Sequence, residues 1–332
     1  MHTHVVGQPI AHSMSPLIFS AAGLGIHCER AEVGAGELAR FIAGPGSGDR
    51  GLSVTMPLKK EAFTVCTWVH NRAAQVGAVN TLVIGELPAN TVVAEEFSAA
   101  PHIRETATEH SAASWQGAQY SPGSSLTAGV ARLPSQPQRV PIYGINTDIS
   151  GIVAAVRETL GSAAQVSAAV ILGSGATASS ALAALQELHV HQIRVCARRY
   201  HTVGSVFEVA HRLGISVEYV PLAQAAQQLR DSDLLISTLP AHVADPIAMQ
   251  LAAMRLPQLA VLDAAYNPYP SALTQMVVAA GGIEIPGYEM LIHQGIEQAR
   301  IFSGREPDTA AIHQAVRTEV QLRLAGRSGP TA

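Results

Sequence analysis

Residues 168–188 read "AAVILGSGATASSALAALQEL", and this stretch decides how the second half of the chain folds. The apolar run Val170-Ile171-Leu172 passes at once into Gly173-Ser174-Gly175-Ala176-Thr177-Ala178, a G-x-G-x-x-A that opens an Ala-rich helix. The first glycine permits a tight turn, and the second lets the backbone approach a pyrophosphate. Ala178 allows close helix–strand packing, while the helix N-terminus offers N–H donors and the positive end of its dipole. A strand before and a helix after are the surroundings the motif requires. Gly173, Ser174, Gly175, Ala176 and Thr177 are therefore candidate cofactor-binding residues.

The next strand, "IRVCA", ends about 20 residues on, where an NAD site would carry Asp or Glu for the ribose hydroxyls. This chain has Ala197 and then Arg198-Arg199. Two guanidiniums without an acid suit the 2′-phosphate of NADP, so NADP is the expected cofactor.

Working outward, "ISVEYVPL", "DSDLLISTLP", "QLAVLDAAY" and "GIEIPG" repeat the pattern of short β-rich runs between helical segments. From Ser167 onward this predicts a doubly wound parallel sheet. Before it, His4–Val54 alternates a short strand ("HVVG"), a helix from about Ser15, a strand near Glu29–Val33, a helix near Gly36–Ile42 and "GLSVTMP". That is a second α/β unit. After Gly287, two amphipathic helices, "YEMLIHQGIEQARIFSG" and "TAAIHQAVRTEVQLRL", are expected to pack back on the first unit. Residues 86–141, rich in Ser, Ala, Thr, Gly and Pro with no clean period, predict a disordered insertion.

Composition narrows the function classes. The net charge of -4 gives no electrostatic case for nucleic acid or an anionic membrane. Cys28, Cys66 and Cys196 lie far apart with no CxxC, as expected of inert thiols in a reducing cytoplasm. The first twenty residues lack the basic and apolar regions of a signal peptide. Fourteen scattered histidines show no HExxH, and "HVH" at His189–His191 makes a poor metal site, so no metal is expected.

Lys59 and Lys60, in "GLSVTMPLKKEAF", are the only lysines; the other 19 cationic side chains are arginine. A guanidinium cannot lose its proton in a protein, whereas an ammonium can once its surroundings disfavour the charge. A site that passes a proton can use Lys and cannot use Arg.

Taken together, "GQPIAHSMSP", "SVTMPLK", "GAVNTL", "GINTD", and the late pair "DAAYNP" and "GYEMLIHQG" resemble the shikimate dehydrogenases, over nearly everything outside residues 86–141. The resemblance implies an α/β fold in which an N-terminal substrate domain (1–148 plus 288–332) faces a Rossmann-type domain (149–287) across a cleft. It implies reduction of 3-dehydroshikimate to shikimate with NADPH, in aromatic amino-acid and chorismate biosynthesis, by a cytoplasmic monomer or homodimer. Carried over residue by residue, Ser13 and Ser15 bind the substrate carboxylate, with Tyr266 nearby. Thr55, Asn80, Asp148 and Gln294 line the ring hydroxyls, and Lys59 is the catalytic lysine with Asp148 as its partner. On the cofactor side stand Gly173–Thr177, Ala197, Arg198, Arg199, Ala264 and Gly287. Lys60 points to solvent.

Each of these residues also has a purely structural reading: Ser15 and Asp148 as helix caps, Asn80 as a turn residue, Gln294 as a polar point on a helix. The chain departs from the family pattern at Phe19-Ser20, Ser53, Ile149 and Ser237–Pro240, with Ser53 and Ile149 expected beside the site. Two alternatives stay open: an NAD-dependent quinate/shikimate dehydrogenase, and a non-catalytic sensor of shikimate-like acids. An interaction role for the insertion is compatible with either.

Overall fold

A computed structural model describes residues 1–88, 97–99, 140–199 and 205–327. Strands β1 (His2–Gly7), β2 (His27–Glu32), β3 (Gly51–Val54), β4 (Trp68–His70), β5 (Thr81–Ile84), β6 (Phe97–Ala99) and β7 (Ile142–Ile145) form one mixed sheet, ordered β2-β1-β3-β5-β7-β4-β6. β3 and β5 are buried throughout because helices cover both faces. Leu52, Val54 and Leu82 meet α2 (Leu38–Ala43), α3 (Lys59–Val65) and α4 (Asn71–Val76) on one face. Val83 and Ile145 meet α1 (Ser15–Ala21) on the other.

Part of the segment expected to be a structureless insertion is ordered. Phe97–Ala99 pairs antiparallel with β4 at the sheet edge, and the Phe97 ring lies 5.3 Å from that of Tyr143 and 5.6 Å from that of His70. An aromatic side chain able to bury against two rings overrides the surrounding composition. Residues 89–96 and 100–139 lie outside the described residues.

The second sheet is wholly parallel, as its sequence predicts. It runs β10 (Glu218–Pro221), β9 (Gln192–Ala197), β8 (Ala168–Leu172), β11 (Leu234–Ser237), β12 (Ala260–Asp263), β13 (Ile283–Ile285). Ala169 and Ile171 face α5 (Asp148–Leu160), α6 (Ala176–Glu187) and α7 (Val206–Leu213). Val170 and Leu172 point the other way, to α8 (Ala225–Gln228), α9 (Asp245–Gln250) and α10 (Ala272–Ala279). Leu172 is level with Cys196 and Ser237, and Ser237 with Asp263. The segments beginning Gly173, Ala197, Thr238 and Ala264 therefore emerge at one edge of the sheet.

Two helices tie the sheets together. α5 leaves the first sheet at Asp148, and α11 (Gly287–Ser303) leaves the second at Gly287. A Cβ on Gly151 would stand 2.8 Å from the Met290 carbonyl oxygen and 3.0 Å from Gln294 Cβ, so this glycine lets α5 and α11 pack closely. α11 and α12 (Thr309–Arg327) return to the first sheet, where Ile292, Ile296, Ile312 and Val316 join Ile18 and Phe19.

Candidate active site

A cleft of about 480 Å3 lies between the C-terminal edges of the two sheets. Of the residues expected at the site, Ser13, Ser15, Thr55, Lys59, Asp148, Tyr266, Gln294, Thr177, Ala264 and Gly287 line it.

The chain after β3 turns through Thr55–Leu58, anchored by the fully buried Leu58, and Lys59 becomes the first residue of α3. Its Nζ donates to Asp148 Oδ2 at 2.5 Å, with side chains 13% and 3% exposed. Asp148 is likewise the first residue of its helix, and its second oxygen accepts from Asn80 Nδ2 at 2.8 Å. Asn80 does not line the cleft. It is buried behind Asp148, where its Oδ1 accepts from the Thr147 backbone N–H at 2.8 Å and its Nδ2 approaches Gln294 Oε1 at 3.1 Å. Gln298 closes this network from below, donating to the Asn80 carbonyl and to Thr81 Oγ1. With these partners, the carboxylate holding Lys59 has little freedom to turn.

The capping alternatives do not hold. Met14 and Thr147 occupy the N-cap positions of α1 and α5, neither with a side-chain cap hydrogen bond, and Ser15 and Asp148 lie one residue inside. Ser13 and Ser15 are buried in the cleft wall with their hydroxyl oxygens 3.3 Å apart. Behind them Arg30 donates twice to the Ser13 carbonyl, and Arg323 reaches the His12 carbonyl at 3.4 Å. Burial, then Arg323 and Arg30, lower the pKa of His12, which also lines the cleft. Burial pushes the Tyr266 hydroxyl up to about 12, against the pull of the same two arginines. This end of the cleft is therefore electropositive and suits an anion. No local motif marks Arg30 or Arg323, and sequence reasoning missed both.

The Gly-rich loop adjoins the cleft, though only Thr177 of it lines the wall. Gly173 has φ +109, and a Cβ there would stand 2.5 Å from Thr238 Oγ1. Gly175 has no atom within 4 Å of its Cβ position, so its outer face is open to a ligand. Ser174 Oγ donates to the Arg199 carbonyl at 2.6 Å, tying the loop to the end of β9. Ala197 is buried there, while Arg198 and Arg199 are exposed and lie outside the cleft lining. Gly287 admits no side chain, since its Cβ would be 1.9 Å from the Asp263 carbonyl oxygen.

The departures from the family pattern sort themselves by position. Ser53, Thr238, Leu239 and Pro240 line the cleft. Ile149, expected beside the site, is buried in the core of the second sheet, because the first turn of α5 directs it away from Asp148. Phe19 packs on Phe302, ring centroids 5.6 Å apart. Lys60 is exposed, as expected.

Comparison with known proteins identifies the family. The family models "Shikimate dehydrogenase substrate binding domain" and "Shikimate 5'-dehydrogenase C-terminal domain" match residues 5–82 and 287–317. The crystal structure of Mycobacterium tuberculosis shikimate dehydrogenase is 31% identical, with 96% of this chain and 99% of that one covered and a TM-score of 0.69. A shikimate dehydrogenase (NADP(+)) of Rubrobacter xylanophilus is 28% identical over 323 residues, 95% of each protein. A quinate dehydrogenase from Corynebacterium glutamicum, solved with NAD, has a TM-score of 0.69 at 20% identity over 96% of this chain and 99% of that one, a likeness of fold alone.

Proposed function

The chain belongs to the shikimate dehydrogenase family, and on that premise we propose that it is an NADP-dependent oxidoreductase. It interconverts 3-dehydroshikimate and shikimate, a step of aromatic amino-acid biosynthesis, with Lys59 moving the proton and Asp148 as its partner. The observation that carries the residue assignment is the 2.5 Å contact from Lys59 Nζ to Asp148 Oδ2 on the cleft wall.

Reduction adds hydride to the ketone carbon, so negative charge develops on its oxygen and a proton must reach it. NADPH supplies the hydride when bound. The Lys59 ammonium stabilises the developing alkoxide and donates the proton. In the reverse direction the same nitrogen, as a neutral amine, takes the hydroxyl proton while hydride departs. Asp148 holds the ammonium with Oδ2, and Asn80 holds Oδ1. Ser13 and Ser15 bind the substrate carboxylate at the end of the cleft backed by Arg30 and Arg323. Thr55 and Gln294 take ring hydroxyls, and a hydroxyl missing there leaves a buried partner unpaired.

The residues present fit NADP. Gly175 leaves an open face for the pyrophosphate, and two exposed arginines follow β9 where an acid would select NAD. These features favour NADP over the NAD-dependent quinate alternative. The paired Lys59 and Asp148 favour an enzyme over a sensor. None of the helices among the described residues is long and apolar enough to cross a membrane. A cytoplasmic monomer or homodimer, with no nucleic-acid or membrane partner, completes the proposal.

Incubating the purified protein with shikimate or quinate and NADP+ or NAD+, and following formation of the reduced nicotinamide, tests this. Shikimate with NADP+ is expected to exceed every other pair in kcat/KM by about tenfold or more. Absence of turnover with all four pairs, in protein that still binds shikimate, would leave the sensor in its place.

A further inference from the structure

Away from the cleft, Glu158, Glu289, His293 and His313 bring ligand-type atoms together, all within 4.8 Å of one another. They come from three helices: Glu158 from α5, Glu289 and His293 one turn apart on α11, and His313 from α12. His293 Nε2 lies 2.7 Å from Glu158 Oε2, and His313 Nδ1 lies 3.3 Å from Glu289 Oε2. No contiguous motif announces them, which is why a search of the sequence for metal-ligand spacing expects no site.

Two features set this cluster apart from ordinary ion pairs on helix surfaces. Glu289 is 5% exposed, yet its Oε2 has no hydrogen-bond partner, and neither has His313 Nδ1 opposite it. A buried carboxylate oxygen and a buried ring nitrogen left facing each other are costly unless something satisfies both. Arg317, meanwhile, occupies the other oxygens. Its Nη2 lies 2.9 Å from Glu289 Oε1 and 3.6 Å from Glu158 Oε1, which leaves the Oε2 atoms of both carboxylates to the imidazoles. Outer-sphere partners commonly fix ligating carboxylates in this way.

The spacing suits a small four-coordinate cation. Bonds of about 2.0–2.2 Å to imidazole nitrogen and carboxylate oxygen place neighbouring ligand atoms about 3.3 Å apart on a tetrahedron, the separation already found between Glu289 Oε2 and His313 Nδ1. Glu158 is 45% exposed and held by Arg317 only at 3.6 Å, so rotation can open its 2.7 Å contact with His293 to the tetrahedral spacing. Two imidazoles with two carboxylates select a borderline metal such as Zn2+ over Mg2+ or Ca2+, which prefer all-oxygen sites.

We propose that Glu158, Glu289, His293 and His313 form a binding site for a Zn2+-class divalent cation. None of the four lines the cleft, so the cation has a structural role. It joins α5 and α11, the two helices that run between the sheets, to α12. Those helices also carry Asp148 and Gln294, so the cation stiffens the seam on which the cleft is built.

Titrating metal-free, tag-free, full-length protein with Zn2+ by calorimetry, and with Co2+ by its visible absorption, tests the site. One Zn2+ per chain is expected, with the intense d–d bands of four-coordinate Co2+. Binding is expected to weaken about 10–100-fold in Glu158→Gln and further in the double variant His293→Gln/His313→Gln. Glu158 is exposed, so Glu158→Gln decides the matter if the double variant misfolds. The other histidine grouping, His2, His4 and His27 beside Glu29, is untouched by these changes. No stoichiometric Zn2+ binding, or binding unchanged in Glu158→Gln, would overturn the proposal.

Discussion

The side-chain amide of Asn80 lies 3.1 Å from Gln294 Oε1, joining residues 214 positions apart. The same amide holds Asp148 Oδ1, so one buried residue spans the strand end before β5, the first turn of α5 and the wall of α11. Asn80→Ala is expected to lower stability by about 2–3 kcal/mol, because it strands Asp148 Oδ1 and the Thr147 N–H. It should also lower kcat by about 10–100-fold, since Asp148 no longer presents a fixed oxygen to Lys59. Urea unfolding with steady-state kinetics checks both, and a kcat near wild type would refute the positioning role.

Two glycines near the candidate cofactor site should respond differently to one methyl group. In Gly287→Ala the new Cβ meets the Asp263 carbonyl, so overpacking should lower stability by about 1–3 kcal/mol. In Gly175→Ala the methyl group meets no protein atom, and stability should change by less than about 1 kcal/mol. On the proposed cofactor placement that methyl stands where the pyrophosphate would approach, and KM for NADP+ should rise by about tenfold or more. Thermal unfolding and cofactor titration separate the two, and an unchanged KM in Gly175→Ala would place the pyrophosphate elsewhere.

These glycines also show how far the sequence could be read. G-x-G-x-x-A between a strand and an Ala-rich helix marks the candidate cofactor loop because the motif is local and each residue has its own steric reason. The parallel second sheet is legible for the same reason, from short β-rich runs at regular spacing. The support of the site is not local. Gln298 beneath Asn80, Arg30 and Arg323 behind Ser13, and Thr238 against Gly173 become neighbours only through the pairing of distant elements. Gly151 acquires a purpose only once α11 is seen crossing α5.

On the proposed function, Arg198 and Arg199 carry the cofactor choice. Replacing both by Ala should raise KM for NADP+ by about 10–100-fold while leaving KM for NAD+ nearly unchanged, since only the former carries the extra phosphate. An equal loss with both cofactors would mean that the arginines act on something shared by the two nucleotides.

Asp263 gives a pH signature. Burial raises its pKa above the ordinary carboxylate value, and Ser271, the Ala265 N–H and Ser237 oppose this only in part. The folded state therefore holds this proton more tightly than the unfolded state. The resulting stabilisation is complete below about pH 3.8 and is lost as pH rises through the raised value. Asp263→Asn should accordingly match wild type in acid and gain on it as pH rises toward neutrality, read by urea unfolding across that range. A difference that stays flat with pH would show that the carboxyl has no raised pKa.

The most direct test of the account compares Lys59→Ala with Lys60→Ala in NADP+ reduction by shikimate, with shikimate binding measured alongside. Lys59→Ala should lose about 10²–10⁴ in kcat while still binding shikimate, as expected when a proton-transfer group is removed. Lys60→Ala, one residue away on an exposed side chain, should turn over like wild type. Equal loss in both variants, or a Lys59→Ala enzyme close to wild type, would contradict the assignment of the proton to Lys59.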